Sequence, residues 1–65
     1  MIIYDKLWVC MQEKNVSQYR LVKYGISHST LTRLKHNQNV SVETIDKLCE
    51  ILGCKVEDVM EYVEK

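Results

Sequence analysis

One stretch of the sequence carries polar side chains at a spacing that would bring them together on one face of a helix. The four, related by i, i+3 and i+4 spacings, are His28, Ser29, Thr32 and Arg33. All can form hydrogen bonds and none is acidic, whereas a face that serves only solubility usually mixes Glu with Lys. A helix fits the major groove of B-DNA, where Arg33 could bond to guanine O6 and N7 and Thr32 could touch a thymine methyl group. We interpret the face as a reader of base edges, with a plain solvated face as the alternative.

Further polar residues around this face are candidates for contacts with a phosphate backbone. Gln18 would be the first residue of the preceding helix, near the positive end of its dipole. The other candidates, at and after the end of the helix that carries the face, are Lys35, Asn37, Gln38 and Asn39. Such contacts fix the register of a protein on DNA and carry no sequence information directly. Each alone is weak evidence, because polar loop residues are usually only solvated.

Three copies of one local signature predict the helices that would position these side chains. Each has an apolar residue, then Ser, then an apolar residue four positions on: Val16-Ser17-Leu21, Ile26-Ser27-Leu31 and Val40-Ser41-Ile45. Ser is a favoured N-cap, and the flanking apolar pair can form a hydrophobic staple. Helices are therefore predicted to begin at Ser17, Ser27 and Ser41. Because the first two starts are ten residues apart with Gly25 between them, they predict a helix-turn-helix.

Apolar periodicity extends this to an all-α prediction, one compact five-helix domain over residues 1–65. Residues 1–14 carry a helical stripe of Ile3, Leu7, Cys10 and Met11 and close at Lys14-Asn15. Tyr4 and Trp8 fall on a neighbouring face and either extend the core or cover a partner. The later helices are predicted from Gln18 to Tyr24, from His28 to His36 and from Ser41 to Gly53. A fifth carries Val56, Val59, Met60 and Val63.

Charge is unevenly distributed along a chain whose net charge is zero. Between Lys14 and Val42 stand five cations, two histidines and no acid, whereas Glu43 to Lys65 holds seven acids against three lysines. The zero sum argues weakly against a non-specific nucleic-acid binder, but a phosphate responds to the local field. Chance segregation of solvated charge is the alternative.

The cysteines and histidines give no sign of a metal or disulfide site. Cys10, Cys49 and Cys54 form no CxxC pair, and neither His28 nor His36 has a Cys at zinc-finger spacing. There is no signal segment and no run near the roughly 20 apolar residues of a membrane span. We expect reduced thiols in a cytoplasmic protein, with no metal, no cofactor and no membrane contact.

Five motifs in this order and spacing resemble the Cro/phage-repressor (XRE) family of regulators. They are Ser17-Gln18, Gly25-Ile26-Ser27, Ser29-Thr30-Leu31-Thr32-Arg33-Leu34, the run from Val42 to Gly53, and Val56-Glu57-Asp58-Val59. The resemblance covers about Leu7 to Tyr62 and implies a lambda-repressor-like bundle of about five helices that binds operator DNA, often as a dimer. It implies base-reading roles for His28, Ser29, Thr32 and Arg33. It also implies phosphate contacts at Gln18 and near Asn37 to Ser41.

The sequence departs from the family pattern in its second helix. Gly25 stands eight positions after Ser17, where family members usually have a spacing of nine. Counting from Ser17 turns Leu21 and Val22 inward, whereas counting back from Gly25 turns Arg20 and Leu21 inward. Burial of an unpaired Arg costs folding free energy, so we expect Leu21 and Val22 to face inward, as counting from Ser17 predicts. We also expect the helix or its turn to be shortened by one residue.

Two functions remain open. The first is a DNA-binding transcriptional regulator of bacterial or phage type, a repressor that acts by operator occupancy. The second is a protein-interaction module of the same fold, an antitoxin or anti-repressor with weak or no DNA binding, which the acidic segment 43–65 would suit. An enzyme is a distant third, because no paired carboxylates and no nucleophile with a base are evident.

The expected oligomeric state follows from the few base pairs that one recognition helix can contact, which are too few to specify a single site in a genome. We expect a homodimer on an inverted-repeat operator, with half-sites about one helical turn apart. The preferred seam is the fifth helix with Met60, Tyr62 and Val63; the alternative is the first-helix face with Tyr4 and Trp8. No small-molecule effector is expected, since the chain leaves no room for an effector domain.

Overall fold

Four helices make up most of the computed structural model, which describes residues 1–64. They are α1 (Asp5–Glu13), α2 (Gln18–Lys23), α3 (His28–Lys35) and α4 (Val42–Leu52). Two short strands, β1 (Ile2–Ile3) and β2 (Glu61–Tyr62), pair antiparallel, and a 3-10 turn at Val56–Asp58 leads from α4 to β2. The predicted helical helix-turn-helix fold is confirmed, with four helices instead of five.

The three predicted serine caps are all formed. In each case the serine hydroxyl accepts a hydrogen bond from the backbone N–H three residues on, at 3.2 Å for Ser17, 3.1 Å for Ser27 and 3.1 Å for Ser41. Each serine is extended and its helix begins at the next residue. The starting points of α2, α3 and α4 therefore follow from local sequence alone.

The helices end at residues with positive φ. Asn15 (56°) and Asn37 (54°) take the left-handed conformation that Asn tolerates, in place of the commoner Gly. Gly25 has a φ of 104°, which favours glycine. Beyond it the N–H of Ile26 donates to the carbonyl of Leu21 at 3.0 Å and closes α2. The turn between α2 and α3 is thereby fixed at both ends.

The inward-facing residues of α2 are those expected from counting from Ser17. Leu21 is fully buried, Val22 is half-buried and Arg20 is exposed. The six-residue α2 therefore places its apolar residues inward without burying a charge. Its partners in the buried core are Tyr4, Leu7, Cys10, Met11, Ile26, Leu31, Leu34, Ile45, Leu48, Leu52 and Val59.

The predicted fifth helix is wrong. The chain makes one 3-10 turn, closed by the Lys55 N–H donating to the Asp58 carboxylate at 3.1 Å, and then becomes extended. The terminal ammonium group of Met1 donates to the Val63 carbonyl, and the Val63 N–H donates to the Met1 carbonyl, both at 2.8 Å, next to the Ile2–Tyr62 pair. This pairing satisfies backbone groups that a helix would have satisfied internally. The helix predicted over residues 1–14 begins only at Asp5, so Ile3 lies in β1 and not on the helical stripe, whereas Leu7, Cys10 and Met11 are buried on α1 as predicted.

Candidate nucleic-acid interface

The proposed base-reading face lies on the outer side of α3. Leu31 and Leu34 are buried and fix the orientation of the helix, as the periodicity predicted. On the other side, His28, Ser29, Thr32 and Arg33 are all exposed. The structure therefore brings the four side chains together on one solvent-facing surface.

The hydroxyls of Thr32 and Ser29 lie within hydrogen-bonding distance of groups in α3 and at its N-cap. Thr32 Oγ1 donates to the backbone carbonyl of His28 at 3.1 Å, and the hydroxyls of Ser27 and Ser29 lie 3.1 Å apart. A hydroxyl that donates its proton still has lone pairs to accept a bond. Thr32 can therefore present an acceptor and a methyl group to a base pair.

Arg33 is held by the loop that follows its own helix. Its Nε–H donates to the carbonyl oxygen of Asn39 at 2.7 Å. The guanidinium carries five N–H donors, so this bond leaves the four on its two terminal nitrogens for a partner. Those two nitrogens are the pair that can bond to guanine O6 and N7.

The loop from Asn37 to Asn39 is partly occupied by internal contacts. The half-buried Asn37 accepts a hydrogen bond at Oδ1 from the backbone N–H of Tyr4 at 3.0 Å, so its amide NH₂ is the end left for a phosphate. The Tyr4 hydroxyl donates to the Gln38 carbonyl at 2.9 Å. The Gln38 and Asn39 side chains are exposed, as are those of Gln18 and Lys35.

Tyr4 is the contributor to this surface that spacing did not identify. Its helical spacing from Trp8 left open whether it enters the core or covers a partner. It enters the core, at 3% exposure, with its hydroxyl turned toward the α3–α4 loop. A buried Tyr hydroxyl usually has a hydrogen-bond partner, so a buried Tyr4 could have been expected to form such a bond. The sequence does not reveal that the partner lies 34 residues away.

The cations near the interface are not neutralised by ion pairs. Within residues 1–64, Lys6 and Glu61 form a salt bridge of 3.8 Å, and no carboxylate pairs with the five cations between Lys14 and Val42. Arg20 instead lies over the Tyr24 ring, 5.9 Å from its centroid. The acidic Glu50 of α4 lines a cleft together with Arg20 and Tyr24, and none of the four α3 side chains lines this cleft.

The three cysteines form a cluster away from this surface. All are free, and Cys10 and Cys49 lie close enough to Cys54 to affect the pKa of its thiol. Burial raises the pKa of Cys49, and burial with the two neighbouring thiols raises the pKa of Cys54 to about 12. These two thiols are therefore protonated near neutral pH and are poor nucleophiles.

Two further features concern the described residues only. Across residues 1–64, no group of three His, Cys, Asp or Glu side chains is placed to hold a metal ion. None of the helices that the structure describes is long and apolar enough to cross a membrane.

Comparison with known proteins identifies the fold as that of a DNA-binding domain. The crystal structure of the transcriptional regulator VanUg, form II, superposes with a TM-score of 0.89 at 31% sequence identity, covering 98% of this chain and 87% of that one. No curated protein matches the sequence. Residues 6–65 match the family described as the Cro/C1-type HTH DNA-binding domain. This match spans almost the whole chain, and the protein therefore belongs to the family of Cro/C1-type helix-turn-helix DNA-binding domains.

Proposed function

We propose that the protein is a sequence-specific transcriptional repressor that occupies its operator with α3 in the major groove. The observation that carries this proposal is the exposed, acid-free face of α3 beside cations that form no ion pair within residues 1–64. An Arg held by a backbone carbonyl, with its terminal nitrogens available, adds a means of reading guanine. Free thiols suit a reducing cytoplasm.

The side chains divide by the contact each would make. The proposed base readers are His28, Ser29, Thr32 and Arg33, and the proposed phosphate contacts are Gln18, Lys35, Asn37, Gln38 and Asn39. The base readers would determine which sequence is bound, whereas the phosphate contacts would fix the register of α3 in the groove.

The working form would be a homodimer on an inverted-repeat operator, joined near β2. Met60, Tyr62 and Val63 remain the proposed seam, with β2 in place of the predicted helix. Met1 and Val63 form a hydrogen-bonded pair between the two strands. Because hydrogen-bonded and non-hydrogen-bonded pairs alternate along antiparallel strands, the neighbouring Tyr62 directs its own N–H and C=O to the outer edge of the sheet. A second copy could pair there as an added antiparallel strand.

Charge permits such a pairing about a two-fold axis. With Tyr62 opposite its own copy, Glu61 would face Val63 and Glu64 would face Met60, so no acid opposes an acid across the seam. Tyr62 is 69% exposed and would bury its ring there. The alternative seam on α1 loses support, because Tyr4 is buried.

A protein-interaction module with weak or no DNA binding is the second candidate. The seven acids between Glu43 and Lys65 and the zero net charge favour it. Selection of bound sequences from a random DNA pool separates the two functions. Enrichment of one inverted-repeat sequence, lost in Arg33→Ala, supports the repressor. Recovery of a pool no different from the input contradicts it and leaves the interaction module.

A further inference from the structure

Tyr4 joins the N-terminal part of the chain to the loop that follows α3. It lies between β1 and α1, where it is the N-cap residue of α1, and it is almost fully buried. Its backbone N–H donates to Asn37 Oδ1 at 3.0 Å and its hydroxyl donates to the Gln38 carbonyl at 2.9 Å. Two successive loop residues are thus held by one residue more than 30 positions earlier.

The same loop holds the side chain of Arg33. Asn37 has a left-handed backbone, and the N–H of Gln38 returns to the Arg33 carbonyl at 2.8 Å. The next residue, Asn39, places its carbonyl 2.7 Å from Arg33 Nε. The position of the guanidinium therefore depends on where the loop places the Asn39 carbonyl.

We propose that Tyr4 is a positioning residue for DNA recognition, which orients Arg33 through the loop without touching DNA. The proposal rests on the base-reading role of Arg33 proposed above. Without the Tyr4 hydroxyl, the partly buried Gln38 carbonyl loses its donor, and the loop shifts to find another. The Asn39 carbonyl moves with it, and a two-bond contact to one base tolerates little displacement.

The decisive variant is Tyr4→Phe, which removes the hydroxyl and keeps the ring in the core. Its matched control is Tyr24→Phe, which removes the hydroxyl of an exposed ring that lies under Arg20, outside the loop that holds Arg33. Each variant is made in the wild-type protein and in Arg33→Ala. Binding is then measured to the selected site and to sites changed at each base pair.

Tyr4→Phe should lower discrimination about three- to ten-fold at the base pair where Arg33→Ala lowers it, part of the loss expected for a two-bond contact. In the Arg33→Ala background it should change discrimination no further. Tyr24→Phe should leave discrimination unaltered in both backgrounds. An equal loss of affinity for all sites, or a further loss in the Arg33→Ala background, would overturn the proposal, because a merely structural Tyr4 would act in that way.

A second readout needs no DNA. The Arg33 side-chain Nε–H should be protected from solvent exchange in the wild-type protein and in Tyr24→Phe, and exposed in Tyr4→Phe, as nuclear magnetic resonance can measure. Unchanged protection in Tyr4→Phe overturns the proposal even if DNA binding fails. A wild-type protein without sequence preference overturns the proposed function instead. Should Tyr4→Phe not fold, Asn37→Gly removes the other loop bond and keeps the left-handed backbone, and the same loss of protection is expected.

Discussion

The Nε–H of Arg33 donates to the Asn39 carbonyl oxygen at 2.7 Å, across the end of α3. This bond fixes one edge of the guanidinium and turns the Arg into a group held by the protein backbone. A side chain ordered before binding loses less rotamer freedom when it meets a base. In the proposed contact with a base, Arg33 would therefore add specificity from an exposed position on a short helix.

Arg33→Ala is expected to cost about 1–3 kcal/mol of binding free energy at one base position and to relax specificity there. Arg33→Lys is the informative companion, because it keeps the charge and lacks the planar fork. It should retain more affinity than Ala and recover little discrimination. Measurement of both variants against a library of single-base changes checks this. Full discrimination by the Lys variant would contradict a two-bond contact.

Gln18→Ala should weaken binding to every sequence by about the same factor, because a phosphate contact does not read bases. The residue is exposed at the first position of α2. The same single-base library separates this uniform loss from the local one expected for Arg33. If both variants lose affinity uniformly, the assignment of roles is wrong even though the protein binds DNA.

Local and non-local sequence signals differed in how well they predicted this fold. The caps at Ser17, Ser27 and Ser41 depend on hydroxyl and amide groups three residues apart, so local sequence was enough. The pairing of β1 with β2 joins the two ends of the chain, and the stripe at Val56–Val63 suits a helix equally well. The contacts of Tyr4 with the loop are equally remote in sequence, and spacing could not predict them.

Stability should fall as pH rises from about 9 toward 12, because of Cys54. Its pKa is raised from 9.0 to about 12 in the folded chain, so over this range the folded state keeps a proton that the unfolded state has lost. Folding stability decreases with pH wherever the folded state binds more protons. Urea denaturation at pH 8 and above should show a shallower decline for Cys54→Ala than for the wild-type protein. Parallel declines would contradict the raised pKa.

Tyr62→Pro should prevent dimer formation and leave the fold intact. The Tyr62 N–H points to the outer edge of β2 and takes no part in the pairing with β1, and proline is tolerated at such edge positions. Tyr62→Phe keeps the backbone donor and the ring, so it should dimerise like the wild-type protein. Sedimentation at micromolar concentration, with and without operator, tests both variants. A wild-type protein that is monomeric in both conditions, on a site without inverted symmetry, rules out the dimer.

The salt dependence of binding to the selected site tests the central claim most directly. We predict micromolar or tighter binding whose logarithm falls linearly with the logarithm of salt concentration, because phosphate contacts release counterions. Five cations lie between Lys14 and Val42, so the slope should be shallow, of order 3 to 6 per subunit. A scrambled sequence should bind more weakly at every salt concentration. An affinity that does not change between low and high salt, or that is equal for the two sequences, would contradict sequence-specific recognition of DNA by this protein.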